Sequence, residues 1–133
     1  MGVLNLLLDT HCWIWLKGDP DRLPSPVRRR ILRDASKLVL SSVSVMEIGI
    51  KHATGRLQLK SDPAQLVAEL AEDGVVSLST TIEHALRMAA LPLHHRDPFD
   101  RLLVAQALVE GLTLVTADAN VLAYGMPSID ARK

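Results

Sequence analysis

Asp97-Pro98-Phe99-Asp100-Arg101-Leu102-Leu103-Val104-Ala105-Gln106-Ala107 is the stretch from which the rest of the chain can be read. Asp97 followed by Pro98 reads as a helix N-cap and first helical residue, which puts Asp100 at the third helical position with its carboxylate among the unpaired amides of the first turn. From Leu102 the segment is apolar almost all round as far as Glu110, so the helix is expected to be sandwiched rather than laid on a surface. Gly111 ends it, and the density of Leu, Thr and Val from Leu112 to Thr116 predicts a strand. Two acids at the start of a buried helix need a reason, and the other acids of the chain supply one.

The chain of 133 residues is 48% apolar, which predicts a single domain over 1–133 that buries roughly two-thirds of its unfolded surface. The single cysteine, Cys12, has no partner for an internal disulfide, and no basic region, apolar run and cleavage site open the sequence, so a cytoplasmic protein is expected. Leu4 to Leu16 is the longest apolar run, interrupted by Asn5, Asp9 and His11 and well short of the ~20 apolar residues that span a bilayer. No membrane role is expected. Fifteen basic and 15 acidic residues balance. That neutral total is compatible with a nucleic-acid partner if several acids are neutralised by metal, because the remaining surface is then net basic.

In order along the chain, Val3 to Leu8 reads as a strand covered on both faces, Thr10 to Lys17 as a helix ended by Gly18, and Ser25-Pro26 as the start of a helix reaching about Ala35. Leu38 to Leu40 is a second strand. Ser42 or Ser44 is expected to cap the following helix, with Gly55 at its end. Asp62-Pro63 opens a further helix ended by Gly74, Val75 to Leu78 is a third strand, and Thr80 with Glu83 has the pattern of a capping box before a helix that Pro92 stops. After the Leu112 strand, Asp118 leads a short helical turn, and Met126 to Ile129 is expected at a sheet edge. Strands alternating with helices predict an α/β domain of three layers, with a central parallel sheet of four to five strands flanked by helices.

Right-handed crossovers bring strand carboxyl ends and helix amino ends to one edge of such a sheet, where ligands bind in open α/β folds. Asp9 follows the first strand, Glu47 lies in the first turns after the second, Asp100 heads its helix, and Asp118 follows the fourth strand. Each has a plainer reading: Asp9 and Asp118 as helix caps, Glu47 as capping-box partner of Ser44. Jointly, four anions at one cleft would raise one another's pKa values unless a cation neutralised them. Oxygen ligands without cysteine or paired histidine fit Mg²⁺ or Mn²⁺ better than zinc. Such an ion activates water and stabilises a leaving oxygen in phosphodiester hydrolysis.

Four ordered segments carry a resemblance: Leu6-Leu7-Leu8-Asp9-Thr10-His11; Met46-Glu47-Ile48-Gly49-Ile50-Lys51 with Gly55-Arg56-Leu57; His95-Arg96-Asp97-Pro98-Phe99-Asp100-Arg101-Leu102-Leu103; and Leu114-Val115-Thr116-Ala117-Asp118. In order and spacing they resemble the motifs of PIN-domain ribonucleases, and within that superfamily the chain looks like a VapC-type toxin of a type II toxin-antitoxin system. The resemblance implies a metal-dependent endoribonuclease, usually dimeric and held inactive by a small VapB-like antitoxin, with RNA as substrate. It places Asp9, Glu47, Asp100 and Asp118 on the acidic metal-site positions. Val121, where relatives often have an aromatic residue, and a tail from Ser128 to Lys133 without a terminal aromatic depart from the pattern; both bear on C-terminal packing rather than on the acids.

Around these positions, Asp97 is expected to be a cap with an outer-shell role open, and Thr10 and Thr116 to support neighbouring carboxylates. His94 and His95 read as solvated loop histidines, with phosphate contact the sharper alternative. Arg28, Arg29, Arg30, Arg33 and Lys37 form a basic face that solvent satisfies, RNA contact being the alternative. Trp13, Trp15 and Leu16 cover more of a helix than one buried stripe needs, which leaves room for a partner surface beside core packing. Two other function classes stay open. One is a phosphoryl-transfer or receiver-type domain, although Asp9 is followed by Thr10 rather than by a second acid; the other is a catalytically silent binding module on the same fold.

Overall fold

A computed structural model describes residues 3–133. Five parallel strands form one sheet: β1 (Asn5–Leu8), β2 (Lys37–Ser41), β3 (Val75–Leu78), β4 (Thr113–Thr116) and β5 (Ser128–Asp130), in the order β3-β2-β1-β4-β5. The helices are α1 (Thr10–Gly18), α2 (Ser25–Arg29), α3 (Ser42–Ala53), α4 (Pro63–Ala68), α5 (Ile82–Ala89), α6 (Pro98–Glu110) and α7 (Ala119–Leu122). The strand order explains why Leu6, Leu7 and Leu8 are apolar without alternation: β1 is the middle strand, and a parallel sheet is covered on both faces. Successive side chains still point to opposite sides. Leu6 and Leu8 join Leu40, Val115 and Ile129 in one core with Trp13, Leu23 and Ile48, whereas Leu7 joins Val39 and Leu114 in a second core with Leu103, Val104 and Ala107 of α6. Three layers therefore follow from one central strand.

Several local boundaries differ from those expected. The cap of α3 is Ser41, not Ser42 or Ser44; its hydroxyl accepts from the Val43 amide at 3.0 Å. β2 runs into α3 without a linker, so the last strand residue, still extended at φ −81° and ψ 147°, has to serve as the cap. The capping box before α5 consists of Thr81 and His84 rather than Thr80 and Glu83: Thr81 Oγ1 accepts from the His84 amide at 3.2 Å, and His84 Nδ1 accepts from the Thr81 amide at 3.0 Å. An imidazole lone pair here does the work of the usual carboxylate. α2 does not continue as α-helix to Ala35 but widens into a π-helical turn over Arg30–Asp34, β1 starts at Asn5 rather than Val3, and the edge strand begins at Ser128.

The C-terminal departures from the family pattern are packed by aliphatic side chains on the core side, while a cavity of about 460 Å³ opens beside Ala117, Ala131, Arg132 and Lys133. Val121 is buried in the α6 core, and Ile129 and Ala131 are buried in the other, so aliphatic side chains close both sides of the sheet edge. Asp97 caps α6 as expected, accepting from the Phe99 amide at 2.9 Å, and Gly111 ends the helix at φ +68°, a left-handed conformation that glycine adopts without a Cβ penalty.

Candidate active site

Strand order reverses at β1: β2 and β3 lie to one side of it, β4 and β5 to the other. The crevice above such a reversal is where open α/β sheets take ligands. Asp9 and Asp118 follow the two strands that meet there, α3 brings Glu47 from its second turn, and α6 brings Asp100 from its first.

Each carboxylate has local work to do. Asp9 caps α1, accepting from the Cys12 amide at 2.8 Å. It is 7% exposed, and burial pushes its pKa up against hydrogen bonds from the Thr116 hydroxyl and the Cys12 amide. Asp118 caps α7 through Oδ1, which accepts from the Asn120 amide at 2.8 Å. The cap reading is thus right for both residues but accounts for only one oxygen of Asp118, whose Oδ2 lies 3.0 Å from His95 Nε2. Glu47 has no cap duty. Ser44, its expected capping partner, instead lies 2.9 Å from the Thr10 hydroxyl, which is itself 2.7 Å from Glu47 Oε1. A hydroxyl has one proton and a carboxylate only accepts, so Thr10 donates to Glu47. Glu47 Oε2 receives the Lys51 ammonium at 2.5 Å.

The tightest grouping is one that the residue pattern did not predict. His95, Asp100 and Asp118 place ligand-type atoms within 4.8 Å of one another, with His95 Nε2 3.0 Å from Oδ2 of each aspartate. The solvated-loop reading of His95 is therefore wrong: its ring is only 15% exposed and is spent on two carboxylates. His94 is exposed and packs edge-on against Tyr124 with ring centroids 4.8 Å apart. Burial, then Asp97 and Glu47, push Asp100 up to about 7, with Asp118 adding to the rise and His95 opposing it. For Asp118, burial raises the pKa, but the hydrogen bond from His95 and the α7 amides outweigh it and the net direction is down. Two neighbouring carboxylates thus move in opposite directions, the pattern expected when like charges share a site.

Glu47 and Asp9 stand outside this trio. The charge of Glu47 registers at Asp100. Asp9 connects through Thr116, whose hydroxyl oxygen also accepts the Asp118 amide at 3.1 Å. Thr10 and Thr116 are buried and hold carboxylates or their backbone, as expected of them. Two neighbours were not placed against the acids by the sequence reading. Lys51 was legible as the i+4 partner of Glu47; His95 was not, because its contact with Asp118 spans 23 residues.

A cavity of about 640 Å³ lies elsewhere, lined among others by Trp13, Trp15, Leu57, Leu59, Lys60 and Leu66 and by none of the four acids. Trp13 is buried, whereas Trp15 is half-buried and carries the Arg22 guanidinium 4.8 Å above its ring. The basic residues of α2 and its extension stay largely in solvent, Arg28 pairing with Asp21 at 3.3 Å.

A three-layer domain with a parallel sheet and clustered acids at the carboxyl edge of β1 and β4 defines a class of α/β domains built around an acidic crevice. The PIN domain family model matches residues 6–125, and the chain belongs to that family. It is 31% identical over 124 residues to Ribonuclease VapC22 of Mycobacterium tuberculosis, covering 92% of this chain and 94% of that protein. Similar solved structures include VapBC2 of Rickettsia felis bound to a promoter DNA fragment, with a TM-score of 0.68 at 14% identity over 96% of this chain and 98% of that one. VapBC-1 of nontypeable Haemophilus influenzae also gives a TM-score of 0.68, at 20% identity over 98% of this chain and 100% of that one. At such identities these structures establish the fold.

Proposed function

We propose that the protein is a metal-dependent endoribonuclease that acts as the toxin of a toxin-antitoxin pair, with Asp9, Glu47, Asp100 and Asp118 as its acidic site. The observation that carries this reading is the grouping of Asp100 and Asp118 with His95, their ligand-type atoms within 4.8 Å of one another, where burial first and then Asp97, Glu47 and Asp118 push the Asp100 carboxyl up to about 7. Carboxylates gathered without enough positive charge are a seat for a cation. The donor set fits a hard divalent ion: carboxylate oxygens dominate it, the buried Cys12 thiol beside Asp9 is held protonated by burial and by that carboxylate, and hydroxyls at Thr10 and Thr116 steady the carboxylates or their backbone from behind. Asp100 and Asp118 would hold Mg²⁺ or Mn²⁺, with Glu47 and Asp9 beside them. When bound, the ion supplies Lewis-acid polarisation of a phosphodiester and acidifies water.

The chain's own residues provide the frame for that chemistry. Thr10 fixes Oε1 of Glu47 while Lys51 holds Oε2, so this carboxylate enters the cleft in one orientation. The Lys51 ammonium has three donors and spends one on Glu47, which leaves others for a phosphate oxygen of RNA. Asp97 keeps α6 capped so that Asp100 stays at the cleft.

The ribonuclease relative and the toxin-antitoxin complexes of like fold support RNA as substrate and a small VapB-like antitoxin as partner. The groove lined by Trp13, Trp15, Leu57 and Leu59 offers an apolar seat for a segment of such a partner, and a basic side chain reaching the carboxylates would compete with metal by charge pairing. Homodimerisation is supported by Ile82 and Leu86, one turn apart on α5 and 81% and 68% exposed. Among the described residues no helix is long and apolar enough to cross a membrane, in keeping with a cytoplasmic site of action.

Purified protein should cut RNA with Mg²⁺ or Mn²⁺ and stop with EDTA. Sequencing the new RNA ends after induction would give the target. Metal-independent cleavage would overturn the cation reading, and absence of cleavage in every metal tested would leave a silent binding module as the better account.

A further inference from the structure

The position of His95 is informative because both ring nitrogens are engaged. Nδ1 lies 3.1 Å from the Asp97 amide nitrogen and accepts its proton, so a ring with one proton carries it on Nε2. That Nε2–H is hydrogen-bonded to Asp118 Oδ2 at 3.0 Å, and Asp100 Oδ2 lies at the same distance from the nitrogen without the geometry of a hydrogen bond. A protonated ring nitrogen has no lone pair to give a metal, so in this arrangement His95 is a donor standing in the cation's seat rather than a ligand to the cation. It is also a poor match for that seat, since its one N–H serves Asp118 and leaves neighbouring Asp100 without a hydrogen bond, whereas a divalent ion could engage both carboxylates.

We propose that His95 is a place-holder: its Nε2–H holds Asp118 with Asp100 alongside, and it withdraws when a divalent cation takes the two carboxylates. The inference rests on the metal-dependent reading above. Withdrawal leaves the frame intact, because residues 95–97 lie in no helix or strand and the ring's other hydrogen bond is to an amide two residues away. His95 is thus a positioning residue that keeps two like charges facing one cleft until metal arrives, and its departure subtracts from the metal's binding free energy.

The test is Mn²⁺ binding, followed by the electron paramagnetic resonance of the free ion, for wild type, His95→Ala and His95→Gln. Removing the ring removes a competitor. His95→Ala should bind Mn²⁺ more tightly, by roughly fivefold for one net hydrogen bond, while melting at a lower temperature in EDTA. His95→Gln, which retains an N–H donor of similar reach, should stay near wild type. In ¹⁵N-labelled wild type, Mg²⁺ should shift the His95 ring resonances and leave those of buried His84 in place. Weaker or unchanged Mn²⁺ binding by His95→Ala beside normal binding by wild type would overturn the place-holder alone, as would unmoved His95 resonances at saturating Mg²⁺. Absence of saturable Mn²⁺ binding by wild type would overturn the metal-dependent reading and this inference with it.

Discussion

His84 and His95 use the same local device in two regions of opposite character. In each, Nδ1 accepts a backbone amide at the start of a helix, from Thr81 at 3.0 Å and from Asp97 at 3.1 Å. In each, Nε2 faces acid: Glu110 at 3.0 Å for His84, Asp100 and Asp118 at 3.0 Å for His95. Between α5 and α6, His84 is 1% exposed, meets one carboxylate and completes a satisfied polar network with Gln106. At the sheet edge, His95 meets two carboxylates with one proton. One ring ties helices together, and the other leaves charge uncompensated. The difference between a structural histidine and one at a functional crevice is therefore the number of carboxylates it must serve.

The largest consequence should appear in catalysis. Asp100→Asn should lower RNA cleavage on the order of 10³-fold, the scale on which loss of one preorganised electrostatic contact is felt. Glu110→Gln, the matching change at the structural histidine, should stay within a few-fold of wild type. Circular dichroism melts would verify that both variants fold; comparable losses would erase the distinction between the two regions.

Acid should expose the same difference in the metal-free protein. Asp100 has a folded-state pKa of about 7 against an ordinary 3.8, so between those values the folded state binds the extra proton. By linkage, stability then rises as pH falls from 8 towards 5. Below about pH 4 the trend reverses, because Asp118, lowered in the fold, is protonated more readily in the unfolded chain. The two pH units between 7 and 5, at about 1.4 kcal/mol each, give a gain of about 3 kcal/mol. Urea titrations in EDTA across this range should show the rise in wild type and its reduction in Asp100→Asn, the remainder belonging to Asp9, which burial also pushes up. A flat wild-type profile would mean that Asp100 is not under strain.

Metal should relieve that strain in a similar measure. At 100 times its dissociation constant a cation that binds only the folded state adds about 2.7 kcal/mol, and Mg²⁺ should do so where KCl at matched ionic strength does not. Asp118→Asn should blunt the response while leaving the α7 cap largely in place, since Asn caps as well as Asp. A Mg²⁺ shift of equal size in both proteins would remove Asp118 from the metal site.

The smallest effect belongs to the structural side of the pair. His84→Ala strands the Thr81 amide and opens the Gln106 network, which should cost about 2 kcal/mol in urea unfolding at neutral pH without altering the Mg²⁺ response. A change in metal response would tie α5 to the crevice.

The sheet and its layers were legible because they rest on patterns repeated within a few residues: an unbroken apolar run before Asp9, Asp-Pro at the head of α6, and Gly111 at its end. Local chemistry misled where two candidates lay side by side. Ser41, Ser42 and Ser44 all suit a cap, and only the direct run of β2 into α3 selects the first. Thr80 and Glu83 matched the usual capping-box spelling, but Thr81 and His84 have the backbone geometry and the buried ring.

By itself, then, the sequence determined a parallel α/β domain whose acids follow strands or head helices, because period, caps and turn residues act over a handful of positions. The tertiary structure alone decided how those acids divide. Burial and neighbouring acids raised the Asp100 pKa while hydrogen bonds from His95 and the α7 amides outweighed burial and lowered that of Asp118, Thr116 joined Asp9 to the Asp118 backbone, and His95 came to rest beside two carboxylates, one of them 23 residues further along the chain. Those properties depend on distances across the crevice, which no spacing along the chain encodes.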